Sequence, residues 1–299
     1  MKRKNARDVE ETFFKGQHLR LCDLKKENIE HMFLYKTNIP AYPESVEFHA
    51  QKLSHATGRH GLEGIFHELG FRQPSETSGL LWFELSFTSY DIWSAERRFL
   101  KSLSSRTQLP ILKHFTTSKA FQKGSPYGNF CFTFSIRELL YFYGAQFCGG
   151  CSPVLHVYET VLYRQEILYS IVVHPRNIQI YDRYPRLPDI GDGVCGYLDG
   201  TIWWRCQAPS ETYKHRLNIN QWNSHVHVSP HKEEYFVWDH VCVAFHMEPG
   251  WVLHVDQDRL LKRVNVCQVS RPCLLKDPET PLSLHEAKNI LTNLKASMG

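Results

Sequence analysis

Several groups of residues have the types and spacing for chemistry. His55 and Thr57 lie two apart in LSHAT (53–57). On a strand they face the same way, and together they can hydrogen-bond a ligand hydroxyl. His114-Phe-Thr116 and His227-Val-Ser229 repeat the pattern. Two such motifs on adjacent strands, one histidine acting as base and one as acid, would make a phosphoesterase for RNA or nucleotides. His114 falls in an expected helix, so the workable pair is His55 with His227. Glu159 shares a strand face with Leu155, Val157 and Val161 by period two, and a carboxylate on so apolar a face needs a partner or a catalytic task. Two other motifs lack their context. GDGVCG (191–196) has no strand before it and no helix after it to bind a pyrophosphate. Cys148-Gly-Gly-Cys151 has no second ligand pair, so no metal site is expected. His225 and His227 are taken as partly exposed strand positions.

The surrounding pattern says which elements hold these residues. Ser45 to Thr57 reads as a strand. Leu62, Ile65, Phe66 and Leu69 then recur at helical spacing, with Gly70 at the left-handed position past the helix end. GLLWFELSFT alternates, with Leu81, Phe83, Leu85 and Phe87 on one face and Trp82, Glu84, Ser86 and Thr88 on the other. Thr88 or Ser89 caps a helix that turns Ile92, Ala95, Phe99 and Leu103 inward. YGNFCFTFS alternates again, and Ser135 with Glu138 forms a capping box for the next helix. VLHVYETVLYRQEILYSIVVHP reads as two strands joined near Arg164-Gln165. Asp199-Gly200 and Glu248-Pro249-Gly250 mark turns, and Ser283 with Glu286 caps a C-terminal helix. Strands and helices mingle without strict alternation, which argues an α+β class. The expected division is a polar N-terminal leader over 1–44, with a short helix at Lys25 to Leu34, a core over 45–175, and a β-rich region with a C-terminal helix over 176–299. Prolines 175, 185 and 188 mark the second seam.

The order L-S-H-A-T, I-F-H-E-L-G-F, G-L-L-W-F, followed a hundred residues later by Y-E-T-V-L-Y-R-Q-E-I-L-Y-S-I-V-V, resembles the poly(ADP-ribose) polymerase-like branch of the ADP-ribosyltransferases over residues 45–175. The resemblance implies a split antiparallel sheet with flanking helices. It also implies NAD as substrate and mono-ADP-ribosyl transfer to a protein or nucleic-acid acceptor. By the match, Glu159 is the catalytic glutamate and His55 the catalytic-site histidine that holds the adenosine-side ribose. Thr57 lies beside it, and Trp82, Phe83 or Tyr90 contact the nicotinamide ring. A carboxylate so placed stabilises the oxocarbenium-like centre formed as nicotinamide leaves. The chain departs from the family at Ala56, where the family has glycine, and at Leu81 or Trp82, where it has tyrosine. Those departures support an alternative, a catalytically inactive module of the same fold in host defence or regulation.

Composition sets the outer bounds. The chain has 299 residues, 42% hydrophobic and 22% charged, with a net charge of +4, which is the composition of a folded protein without a strong electrostatic call on nucleic acid. Interleaved aromatic and basic stretches (IWWRC, ETYKHRLN) keep RNA stacking open. The basic start has no apolar h-region, and no apolar run is long enough to cross a membrane. Nine cysteines without a disulfide framework place the chain in a cytoplasmic or nuclear compartment. Oligomeric state is left open.

Overall fold

The computed structural model describes residues 1–4, 10–27, 29, 45–73, 79–102, 118–121, 124–163, 166–188, 193–206, 209–212, 215–219, 226–230, 234–237, 239–270, 274–275 and 280–298. Its main strands are β1 (Lys2–Lys4), β2 (Glu10–Lys15), β3 (Val46–Ala50), β4 (Lys52–Thr57), β5 (Leu80–Ser86), β6 (Phe130–Ser135), β7 (Val154–Tyr163), β8 (Glu166–His174), β9 (Cys195–Leu198), β10 (Thr201–Cys206), β11 (Asp239–His246) and β12 (Val264–Val266). The helices are α1 (Leu21–Lys26), α2 (Arg59–Glu68), α3 (Ser89–Ser102), α4 (Ile136–Phe147), α5 (Gln257–Arg263) and α6 (Leu284–Met298). The expected α+β class holds.

Nine strands form one sheet in the order β1-β2-β7-β8-β11-β5-β4-β6-β12. Its neighbours pair antiparallel except β8 and β11, which run parallel from Ile167↔Asp239 to Val173↔Phe245. A parallel pair needs a long crossover, supplied here by residues 175–238. That segment includes the hairpin β9–β10, whose turn at Asp199 (φ 47°) and Gly200 (φ 79°) has both central residues left-handed. β3 pairs with β10 rather than with the nine-stranded sheet, so the single strand expected over Ser45 to Thr57 breaks at Gln51. There the Ile136 amide donates to the Gln51 carbonyl at 2.9 Å.

All three expected segments contribute strands to the large sheet. β1 and β2 come from 1–44, and β11 and β12 from 176–299. Residues 1–44 are therefore more than a polar leader: β2 pairs with β7 from Thr12↔Leu162 to Lys15↔Glu159. Among the described residues of this stretch a short helix lies at Leu21–Lys26, and the helix expected at Lys25 to Leu34 falls mostly outside the described residues, which include only 25–27 and 29 of it.

The core follows the alternation. Leu81, Phe83 and Leu85 of β5 and Phe130, Phe132 and Phe134 of β6 are fully buried, and Leu62, Ile65 and Phe66 of α2 pack with them. The Ser135 hydroxyl accepts from the Glu138 amide at 3.1 Å. Thr88, not Ser89, caps α3 through the Asp91 amide at 3.2 Å. Ser283 and Glu286 close the α6 box from both sides. One local expectation is displaced by a residue. Leu69, not Gly70, takes the left-handed position after α2 (φ 52°) and is 38% exposed. Gly70 instead enters a two-stranded pairing with Leu253–His254, where a Cβ would meet the Leu253 carbonyl oxygen at 2.6 Å.

Phe132 sits opposite both His55 and Val264 and makes an edge contact with Phe71 at 5.3 Å. Phe132→Ala is expected to cost about 3–5 kcal/mol in chemical denaturation. Tyr141→Ala, on the 71% exposed face of α4, is expected to stay within about 0.5 kcal/mol of the parent.

Candidate functional site

His55 and Glu159 are set apart by two features of the sheet. The first is strand order: β5, β11 and β8 lie between β4 and β7, so four strand spacings of about 4.8 Å separate their backbones by roughly 19 Å. The second is facing. Ser54 pairs with Glu84, Glu84 with Cys242, Cys242 with Ser170, and Ser170 with Glu159, so these five residues share one face. His55 follows Ser54 and points to the other face.

Glu159 reaches its face through a bulge. Val157 pairs with Ile171 and Glu159 with Ser170, so Tyr158 is an extra residue in β7. The insertion reverses the alternation, and Glu159 shares its face with Val161 but not with Leu155 and Val157.

His55 belongs to the phenylalanine side. Its ring lies 5.4 Å from both Phe71 and Phe83. Its Nδ1 is 2.9 Å from the Trp82 carbonyl oxygen, which can only accept, so Nδ1 carries the proton and Nε2 the lone pair. Burial pushes its pKa below the ordinary histidine value, against the pull of that bond. Thr57 ends β4 with its hydroxyl against Gly61, where no side chain would fit.

The other predicted contacts divide. Phe83 is on the His55 side. Trp82, opposite Ala244, is on the Glu159 side and packs into a cluster with Tyr158, Tyr181 and Tyr184. Tyr90 is 70% exposed on α3 beside Trp93, centroids 5.6 Å apart. His55 and Phe83 thus stand on one face of the sheet and Glu159 and Trp82 on the other.

The other sequence motifs fare similarly. His227 lies on Val226–Pro230, which pairs only with His215–Ile219 among the described strands, so His55 and His227 are in different sheets. His114, Thr116, His225 and the Gly191-Asp192 start of GDGVCG lie outside the described residues. The rest of GDGVCG runs into the β9–β10 hairpin. Cys148 and Cys151 are free thiols. Among the described residues no group of three or more His, Cys, Asp or Glu could hold a metal ion. No described helix is long and apolar enough to cross a membrane.

Around Glu159 the structure builds something the sequence reading missed. Glu159 is only 3% exposed, and its Oε1 accepts from Arg3 Nη2 at 3.3 Å. Arg3 also donates Nε to Glu11 Oε1 at 2.5 Å and lies 4.2 Å from the centroid of the Phe13 ring. A cleft of about 420 Å³ opens here, lined among others by Phe13, Lys15, Gln17 and Tyr158. Burial raises the Glu159 pKa and the nearby Glu11 adds to it, while Arg3 and Lys15 pull it down. The net result is a carboxyl group above its usual range, with its main cation supplied from 156 residues away in sequence. Only the basic run Lys2-Arg3-Lys4 hinted at this.

Histidines form the second feature on this side of the sheet. His174 Nδ1 lies 2.8 Å from the Pro175 carbonyl oxygen and must donate to it. His174 Nε2 therefore accepts from His156 Nδ1 at 2.7 Å, which fixes both rings as neutral tautomers. The Tyr181 ring lies tilted against His174, centroids 4.6 Å apart, and its hydroxyl bonds His246 Nδ1 at 2.9 Å. On the opposite face, its ring edge-on to Tyr169 with centroids 5.5 Å apart, His18 holds the Ser170 carbonyl oxygen at 2.9 Å and the Cys195 thiol at 3.2 Å.

No family model, curated protein or solved structure matches the chain. The site therefore has to be read from its own residues.

Two outcomes are expected. Burial, the first cause in each case, lowers the pKa of His18, His55, His156, His174 and His246, for His18 and His174 to about 4. Between about 6.5 and about 4 the unfolded chain binds more protons than the native one, so stability falls as pH falls through that window. Glu159 acts in the opposite sense, but it is one group against five. A melting temperature that rises on acidification from neutral would contradict the assignment. Separately, Arg3→Ala is expected to lower stability by about 1–2 kcal/mol in urea. This is less than for a fully buried pair, because Arg3 is 39% exposed and partly screened.

Proposed function

We propose that this chain is a catalytically inactive, ADP-ribosyltransferase-like interaction module. The observation that carries the reading is the placement of His55 and Glu159 on opposite faces of the sheet, four strand spacings apart. Transfer from NAD needs the carboxylate at the nicotinamide–ribose bond and the histidine on the adenosine-side ribose of the same molecule, so both must open into one site, and a charge-stabilising group acts only from hydrogen-bond distance of the reacting centre. In this chain one histidine nitrogen is committed to the Trp82 carbonyl, and the carboxylate is engaged by Arg3.

The likeness to the family rests on the local order strand, helix, strand, in which β4 and β5 hydrogen-bond to each other after α2. Ala56 adds to the inactive reading. A Cβ stands there where the family keeps backbone open to nicotinamide.

Binding of NAD at a hundred times its Kd would add about 2.7 kcal/mol of stability. No such shift is expected in a thermal melt with NAD or nicotinamide. No label is expected to enter the protein, or an added protein or RNA acceptor, on incubation with labelled NAD. A rise in melting temperature of several degrees, or label incorporated by the parent and lost in Glu159→Ala, would restore the transferase reading.

A further inference from the structure

We propose that the edge of β2 carrying Glu11, with Glu159 beside it, is a recognition site for an extended, arginine-bearing segment of a partner protein, and that β1 fills this site in cis. The inference deepens the interaction-module reading by naming the partner's chemistry.

Glu11 and Glu159 are 8% and 3% exposed, on adjacent strands of one sheet. Two buried acids so close require a cation. Arg3 supplies it in the geometry a guanidinium favours, with Nε on one carboxylate, Nη2 on the other and the planar group over the Phe13 ring. An ammonium has neither the fork nor the plane to make all three contacts, so the site distinguishes arginine from lysine.

The backbone around Arg3 has the form of an added strand. β1 is three residues long and lies at the sheet edge, paired Lys2↔Thr12, Arg3↔Glu11 and Lys4↔Glu10. Another ion pair of β1, Lys2 with Glu10 at 3.4 Å, is more than half exposed on both sides and contributes little. So short a strand has few main-chain bonds to lose, and main-chain pairing of this kind is what strand addition by a peptide reproduces. The charges match at two of the three paired positions, Arg3 against Glu11 and Lys4 against Glu10, while Lys2, opposite Thr12, reaches Glu10 and Arg3 also reaches Glu159 on β7. The cleft lined by Phe13, Lys15, Gln17 and Tyr158 gives a longer segment room beyond the arginine.

The test uses the full-length chain and a fluorescent peptide of its first nine residues, MKRKNARDV, read by fluorescence polarisation. The native chain competes with the peptide through its own β1. Arg3→Ala withdraws the competitor's guanidinium and is expected to tighten peptide binding by about tenfold or more. A peptide with lysine in place of its first arginine is expected to lose that gain. Adding Glu159→Gln to the Arg3→Ala chain is expected to abolish it, with circular dichroism confirming that each variant is folded. Arg3→Lys keeps the charge but not the fork, and is expected to bind the arginine peptide more tightly than the parent does. Equal affinity of parent and Arg3→Ala would overturn the proposal, and so would equal binding of the lysine peptide. A concentration-dependent dimer of the parent that exchanges β1 between copies, seen by sedimentation, would also overturn it in favour of a second copy as occupant. Because the assay contains no NAD, a negative result here leaves the inactive-module reading standing. An NAD-induced melting shift would remove that reading without changing the polarisation result.

Discussion

The pairing of β11 with β8 on one side and β5 on the other joins the two halves of the large sheet. All but the last residue of β11 is buried, and its sequence DHVCVAFH lacks the polar alternation of a strand with a wet face. Such a run suits a strand covered on both sides, as parallel strands are. At its start, buried Asp239 accepts from the Cys206 thiol at 3.0 Å, which ties the β9–β10–β3 sheet to the larger one. β4 has β5 on one edge and β6 on the other, and β11 stands between β5 and β8, so the β7–β8 hairpin is held away from β4. Everything that depends on Glu159 meeting His55 is decided there.

A second constraint acts within β7. Period-two alternation assigns each residue to one face, and one inserted residue reverses the assignment for all that follow. Tyr158 is that residue. Without it, Glu159 would enter the apolar side with Leu155 and Val157. With it, Glu159 emerges on the side that carries Ser170, the Tyr158–Tyr181–Tyr184 cluster and the histidine chain. The bulge thus spares the core a carboxylate and puts the carboxylate within reach of Arg3. The same face keeps its imidazoles neutral. With the His174 proton assigned by the Pro175 carbonyl and the His156 proton by His174 Nε2, the His156–His174 bond needs no charge and carries no desolvated cation.

Much of the local structure was legible because it depends on neighbours in sequence. The alternation of Leu81, Phe83 and Leu85, the capping pairs Thr88–Asp91, Ser135–Glu138 and Ser283–Glu286, and the Asp199-Gly200 turn all follow from rules spanning a few residues. Two kinds of information were missing. β1 and β2 are short and polar, so nothing local distinguishes them from a leader; they are strands because β7 offers an edge. The position of β11 in the sheet, and so the spacing of the candidate site, depends on a pairing between residues 167–173 and 239–245 that no local pattern encodes. His55 and Glu159 were legible as unusual residues, but their separation was not.

A buried carboxylate on a strand raises the same demand whether it is catalytic or structural, because the cost of burying its charge is the same. From the sequence, Glu159 had either a task or a partner. Arg3 supplies the partner, and it does so from a half-exposed position on a three-residue edge strand, not from within the core. A structural ion pair built only for stability would gain more from a cation on a central element, where side-chain entropy is already spent. Placing the cation on a three-residue strand at the sheet edge makes occupancy of the carboxylates depend on a segment with few main-chain bonds to hold it. That asymmetry, a rigid acidic receptor in β2 and β7 and a removable basic ligand in β1, is the physical reason to regard the contact as recognition.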